Sequence, residues 1–142
     1  MSNATPTPTD VARRYLKSFE TADPSTIASF VAVDFINEHT AGLGTGCEGR
    51  ATYQERLVNF LSDMVGLTYE PEHLVSEGNQ VAVFYTMRAS WQGTAPFTIR
   101  GVQRLVVEDG LITQRTDYWD SAVFLSQVDN DAREALGKLG IS

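Results

Sequence analysis

Residues 80–91, QVAVFYTMRASW, residues 97–107, FTIRGVQRLVV, and residues 111–119, LITQRTDYW, decide the fold. Each alternates side chains with period two, the pattern of a strand with one face covered, and turn-forming residues separate them. Those turns are Gly78-Asn79, Gln92 to Pro96 and Glu108-Asp109-Gly110. The third predicts a tight hairpin, because Asp-Gly accepts the positive φ that such a turn demands. One segment further upstream, LTYEPEHLVSEG at 67–78, carries the same period, so four consecutive antiparallel strands are expected.

Ahead of the strands the period changes to that of a helix. Thr9 or Asp10 can cap a first helix whose Val11, Tyr15, Leu16 and Phe19 fall on one face. Asp23-Pro24-Ser25 restarts the chain, and Ile27, Phe30 and Val31 give a second, shorter apolar stripe. Residues 33–39, VDFINEH, read as a short strand, followed by a Gly-rich loop, AGLGTGCEG. Tyr53, Leu57, Phe60, Leu61 and Met64 then recur at helical spacing, with Gly66 placed as the stop. Asp120 or Ser121 starts a last short helix through Phe124 and Leu125. Helices segregated ahead of a strand meander imply an α+β arrangement, with a concavity between sheet and helices.

At 142 residues the chain suits one domain. We expect a flexible segment at 1–9, a domain at 10–128 and a mobile or partly helical tail at 129–142. The net charge of −7 argues against nucleic acid and anionic membrane as partners, since both repel a negative surface. The single cysteine, Cys47, cannot form an intrachain disulfide, and residues 1–9 lack the anatomy of a secretory signal, so a cytoplasmic location is expected. Two distant histidines and one cysteine leave no metal-ligand spacing, and no motif asks for a cofactor.

The segments EGNQVAVFYTMRASWQG and GVQRLVVEDGLITQRTDYWD resemble the SnoaL-like polyketide cyclases, limonene epoxide hydrolases and ketosteroid isomerases of the nuclear transport factor 2 superfamily. The resemblance covers residues 10–128 and rests most on the closing strand, where Asp117-Tyr118-Trp119-Asp120 follows the glycine turn. It implies a cone-shaped, cystatin-like (NTF2-like) fold, with N-terminal helices packed on a strongly curved antiparallel sheet around a pocket. It also implies a homodimer formed through the sheet's exposed face. Asp117 falls where the hydrolases and cyclases keep a buried acid. The Arg-x-Asp pair of the hydrolases is absent from the stretch Phe84 to Thr86, which argues against epoxide hydrolysis. Tyr15 resembles the oxyanion-hole tyrosine of the isomerases, but its partner acid is replaced by Ile99-Arg100-Gly101. The isomerase base would sit near Glu38 or His39.

Alternation on the closing strand places Leu111, Thr113, Arg115, Asp117 and Trp119 on one face and Ile112, Gln114, Thr116 and Tyr118 on the other. If the first face lines the cavity, burial and Arg115 act on Asp117 in opposite senses, one favouring a proton donor and the other an acceptor. The alternative is a structural ion pair between the two. His39, at a strand end, is the side chain best suited to help move protons near neutral pH, while His73 reads as a surface residue of the outer face. Val81, Val83, Tyr85, Met87, Ala89 and Trp91 share a face that could line a pocket or a dimer interface. The expectation is a small-molecule pocket with Asp117 and His39 as catalytic residues and Tyr15, Tyr85, Trp91, Arg115 and Trp119 as binding residues. Its ligand would be a small, largely apolar, oxygenated metabolite. The rival is a non-catalytic ligand-binding or dimerisation module of the same fold.

Overall fold

The computed structural model describes residues 5–141. Helix α1 spans Pro8–Ser18, with Thr7 as its N-cap: the Thr7 hydroxyl accepts from the Asp10 amide at 3.2 Å. The helix therefore starts before the expected Thr9 or Asp10, because Pro8 fits the first helical position, where its missing N–H costs nothing. Of the segment expected to be flexible, residues 1–4 lie outside the described residues, and Pro8 and Thr9 are helical. Val11, Ala12, Tyr15 and Leu16 form the buried face of α1. A short turn, Phe19–Thr21, leads to α2, Pro24–Ala28, capped by the Asp23 carboxylate on the Ser25 amide.

Strand β1, Val31–His39, is longer than expected, and within the Gly-rich stretch a two-residue strand, β2, Cys47–Glu48, pairs antiparallel with it. Helix α3 spans Arg50–Asp63, and β3, Met64–Glu77, follows without a loop. Gly66 is thus not the helix stop. It lies in β3 with φ +69, where the pairing with β4 shifts register between Val65 and Thr68, so its freedom at positive φ serves a bulge. The meander continues through β4, Gln80–Trp91, β5, Ala95–Glu108, and β6, Leu111–Tyr118. Asp109 and Gly110 both have positive φ, as the tight turn requires.

The sheet order is β2-β1-β6-β5-β4-β3. All neighbours are antiparallel except β1 and β6, which run parallel. This pair corrects the expectation of a wholly antiparallel sheet. Parallel neighbours need a long crossover, and here it contains β2, α3 and the three strands β3 to β5. The inner face of β4 carries Val81, Val83, Tyr85 and Met87, all buried. On β6 the pairing with β5 slips between Val106 and Val107, leaving Thr113 as an extra residue. The alternation flips there: Ile112, expected on the outer face, is fully buried with Arg115 and Asp117.

Helices α1 and α3 pack on the inner face, and Phe19 of the turn meets Tyr69 of β3 edge-on with ring centroids 4.9 Å apart. Helix α4, Ser121–Val128, is capped by Asp120 and sends Phe124 against Trp91 of β4 and Phe97 of β5. Residues Asn130–Lys138, expected to be tail, form α5, which buries no side chain. Among the described residues no helix is long and apolar enough to cross a membrane.

Candidate active site

The parallel register of β1 against β6 places Asn37 opposite Arg115 and His39 opposite Asp117. These four residues line one cavity of about 390 Å³ between the sheet and α3. The rest of the wall is mostly apolar: Tyr85, Met87 and Trp91 come from β4, Phe60 from α3 and Phe124 from α4. Among the described lining residues Asp117 is the only acid, and Arg56 and Arg115 are the bases. A mostly apolar cavity of this size with a few convergent polar groups is the usual form of a small-molecule site.

Asp117 is held from two sides. The Arg115 Nη2 donates to Oδ2 at 2.9 Å, and the Tyr85 hydroxyl donates to Oδ1 at 2.7 Å. Tyr85 reaches it only because β5 carries Gly101 directly opposite; a Cβ there would stand 2.6 Å from the Tyr85 oxygen. Behind Arg115 the chain of contacts continues, with Nη1 donating to the Tyr15 hydroxyl at 2.7 Å and, at 3.4 Å, to Tyr53. The Tyr15 and Tyr53 hydroxyls are also hydrogen-bonded to each other. The Arg115 and Asp117 side chains are only 5% and 4% exposed. Removal of one partner from such a buried pair costs about 3–5 kcal/mol, because the other charge is stranded.

Burial works against the Arg115 cation, but the fields of Tyr15, Tyr69, Asp117 and Tyr53 hold its pKa well above the ordinary value. Burial is also the first cause of the upward shifts at Tyr85, Tyr53 and Tyr15, with the Asp117 charge next in order for Tyr85. These phenols stay protonated and act as donors. Cys47, at the cavity edge opposite Asn37, likewise has its thiol pushed up by burial.

His39 has a different part from the one its type suggests. The indole N–H of Trp119 donates to its Nδ1 at 3.2 Å. Indole only donates, so Nδ1 holds a lone pair and the proton of the neutral ring is on Nε2. Burial, then the Arg115 charge, push the His39 pKa down to about 4, with Asp117 pulling the other way. Near neutral pH His39 therefore offers Nε2–H as a donor, and its basic nitrogen is already engaged. An acid partner and a neutral N–H on adjacent strands can divide a proton transfer between accepting the proton and steadying charge on oxygen.

Of the expected site residues, Asp117, His39, Tyr85, Trp91, Arg115 and Trp119 line the cavity together. Tyr15 does not. It is fully buried beneath Arg115, ringed by Phe19 and Phe30, because α1 covers the inner face there. The site also contains Asn37 and Tyr53, which the sequence reading left out. Asn37 stands two residues before His39 on one strand, so alternation alone places both on one face. Tyr53 was legible only as an apolar helix position.

The model for the SnoaL-like domain family matches residues 12–115. No curated protein matches the chain in sequence. A ketosteroid isomerase-like protein from Catenulispora acidiphila DSM 44928, in complex with trimethylamine, superposes with a TM-score of 0.80 at 16% identity, over 90% of this chain and 98% of that one. An LEH-like epoxide hydrolase of M. tuberculosis gives 0.74 at 18% identity, over 93% and 96% of the two chains. TerC, co-crystallised with polyporic acid, gives 0.73 at 24% identity, over 87% and 98%. At these identities the likeness is one of fold.

Proposed function

Because this chain belongs to the SnoaL-like domain family, whose fold is shared by proteins of several chemistries, we propose that its cavity takes a small, largely apolar, oxygenated metabolite and carries out proton transfer on it. Asp117 accepts or returns the proton, and His39 donates from Nε2 to an oxygen of the bound molecule. Tyr85 and Arg115 orient Asp117, while Trp91 and Trp119 supply apolar wall. Reactions within reach of such a pair are cyclisation, isomerisation or addition of water, and none of these steps calls for a cofactor. The observation that carries the reading is the placement of Asp117, the one acid among the described residues that line a mostly apolar cavity, beside a histidine on the neighbouring strand. General acid–base assistance of this kind contributes about 10² to 10⁴ in rate.

The test is a panel of small ketones, phenols and epoxides incubated with the protein in deuterated water, with solvent-deuterium incorporation and product formation followed by NMR and mass spectrometry. Asp117→Asn should abolish conversion while leaving binding in place. Equal turnover by wild type and Asp117→Asn would remove Asp117 from the chemistry.

A second reading draws on a specific observation: both Asp117 oxygens already accept from protein donors, Arg115 and Tyr85. On that reading the pair is a structural anchor and the cavity a ligand-binding module without turnover. It predicts that Asp117→Asn changes affinity or stability and that no member of the panel is converted.

The outer face of the sheet supports a homodimer as part of the same proposal. Phe84, Val102 and Tyr118 lie in one cross-strand row there, with Phe84 and Tyr118 40% and 47% exposed. A cytoplasmic location belongs to the proposal too and rests on the lone Cys47.

A further inference from the structure

Helix α3 turns one stripe toward the cavity: Tyr53, Arg56, Leu57 and Phe60, spaced three and four apart as a single helical face requires, all line it. Three of the four are aromatic or aliphatic, and Arg56 interrupts them with a charge. Its Nη1 donates to the backbone carbonyls of Gly46 at 2.5 Å and Thr45 at 3.4 Å. The guanidinium is thereby held against the Gly-rich loop, whose Thr45 also lines the cavity. Carbonyl oxygens accept hydrogen bonds but bring no charge to cancel. Arg56 joins none of the ion pairs among the described residues, and Glu55, its neighbour in sequence, projects from a different side of the helix.

The other ionisable groups of the wall are paired or neutral. Arg115 and Asp117 form a buried pair of opposite sign. His39 is neutral near pH 7, since its pKa lies at about 4. Burial pushes the Cys47 thiol up and keeps it protonated, with the Arg56 charge the next influence and opposite in sense, so the field of Arg56 reaches β2. The described wall therefore carries one uncompensated positive charge, that of Arg56, in a chain whose net charge is −7. A mostly apolar cavity with such a charge favours a ligand that brings the anion.

We propose that Arg56 determines specificity, and that the cavity prefers an apolar molecule carrying a carboxylate over its neutral counterpart. This rests on the reading that the cavity takes a small oxygenated molecule, and it adds the charge. Attraction between net charges needs no particular aim of the N–H groups. Arg56 is exposed, so water and salt screen its field and the preference is moderate, about fivefold at low salt.

Cys47 lies in the same wall and is the chain's single cysteine, so its alkylation samples the cavity without a known ligand. Iodoacetate and iodoacetamide match in size and differ by one negative charge. Both react with the thiolate and release iodide, so the ratio of their rates cancels the thiolate fraction. That ratio should be about fivefold higher in wild type than in Arg56→Gln, and 0.5 M sodium chloride should shrink the difference. Arg56→Lys keeps the charge and loses the guanidinium's hold on the loop, so it should keep most of the wild-type ratio. The second arm is an NMR titration with 3-phenylpropanoate and 3-phenylpropanamide, again matched in shape. Wild type and Arg56→Lys should bind the acid about fivefold more tightly than the amide, and Arg56→Gln should bind the two alike; thermal melts report folding for every variant. Equal affinity for acid and amide in wild type, or the same preference in wild type and Arg56→Gln in either assay, would overturn the inference. With the amide still bound, the small-molecule reading would stand without it. Binding of neither compound up to its solubility limit would overturn both.

Discussion

The Tyr85 hydroxyl crosses above Gly101 to donate to Asp117 Oδ1 at 2.7 Å, so a residue of β4 orients one on β6 across the whole width of β5. The contact depends on an absent side chain as much as on a present one.

Tyr85→Phe removes that donor and leaves the ring. The expected cost is about 1.5–3 kcal/mol, the range for a hydrogen bond to a charged group, measured by urea denaturation. Gly101→Ala should cost a comparable amount, since its Cβ would stand 2.8 Å from the Tyr118 backbone oxygen as well as against Tyr85. If the two losses were fully additive in the double variant, the two residues would act independently and the crossing would carry no weight.

Arg115→Met strands Asp117 and takes a donor from Tyr15 and Tyr53. A loss of about 3–5 kcal/mol is expected. Adding Asp117→Leu should return part of it, because the second substitution removes the stranded charge. A double-mutant cycle by chemical denaturation checks this, and a double variant less stable than Arg115→Met would contradict it.

The pKa of His39 is lowered from 6.5 to about 4 in the folded protein. The unfolded chain therefore binds the proton first as pH falls. The stability is fully present above about pH 6.5 and is lost progressively down to about pH 4, a change on the order of 3 kcal/mol. Arg115 and Asp117 are the charged groups facing the ring. His39→Gln should flatten this part of the curve relative to wild type, with denaturation midpoints compared from pH 7 to pH 4.5. An unchanged slope would mean that His39 titrates alike in both states. Nitrogen shifts in an NMR spectrum near neutral pH should show the proton on Nε2.

The row Phe84, Val102 and Tyr118 predicts an equilibrium dimer at micromolar concentration, measured by sedimentation or light scattering. Phe84→Lys should shift it toward monomer without lowering the melting temperature of the protomer, because Phe84 faces away from the core. A monomeric wild type would refute the dimer directly.

The strand meander was legible because alternation and turn residues are local signals: Asp109-Gly110 turns where its type requires. Period two grouped Arg115 with Asp117 and Tyr85 with Trp91, but which face turns toward the cavity was not in that pattern, and Asp117 was singled out by the resemblance of the closing strand. What local pattern cannot carry is a bulge or a partner far away in sequence. One extra residue at Thr113 turned Ile112 inward, and Gly66, well placed to end a helix, bends a strand instead. The link from Arg115 to Tyr15 spans a hundred residues. No window of sequence shows that Tyr15 would be roofed over by its own helix, or that Trp119 would occupy the basic nitrogen of His39.

The parallel joint between β1 and β6 has a bearing on how the molecule comes into being. The hairpins β3 to β6 close between neighbours in the chain and can form early, whereas joining β1 to β6 must gather a loop of about seventy residues, the slow kind of pairing. Asn37 and His39 lie on one side of that seam and Arg115 and Asp117 on the other. A form of the chain that had the meander and lacked the seam would keep Tyr85, Arg115 and Asp117 together and would lack Asn37 and His39 beside them. The complete wall of the cavity thus exists only when that long-range pairing is closed, and a ligand that touches both sides of the seam would slow unfolding by holding it shut.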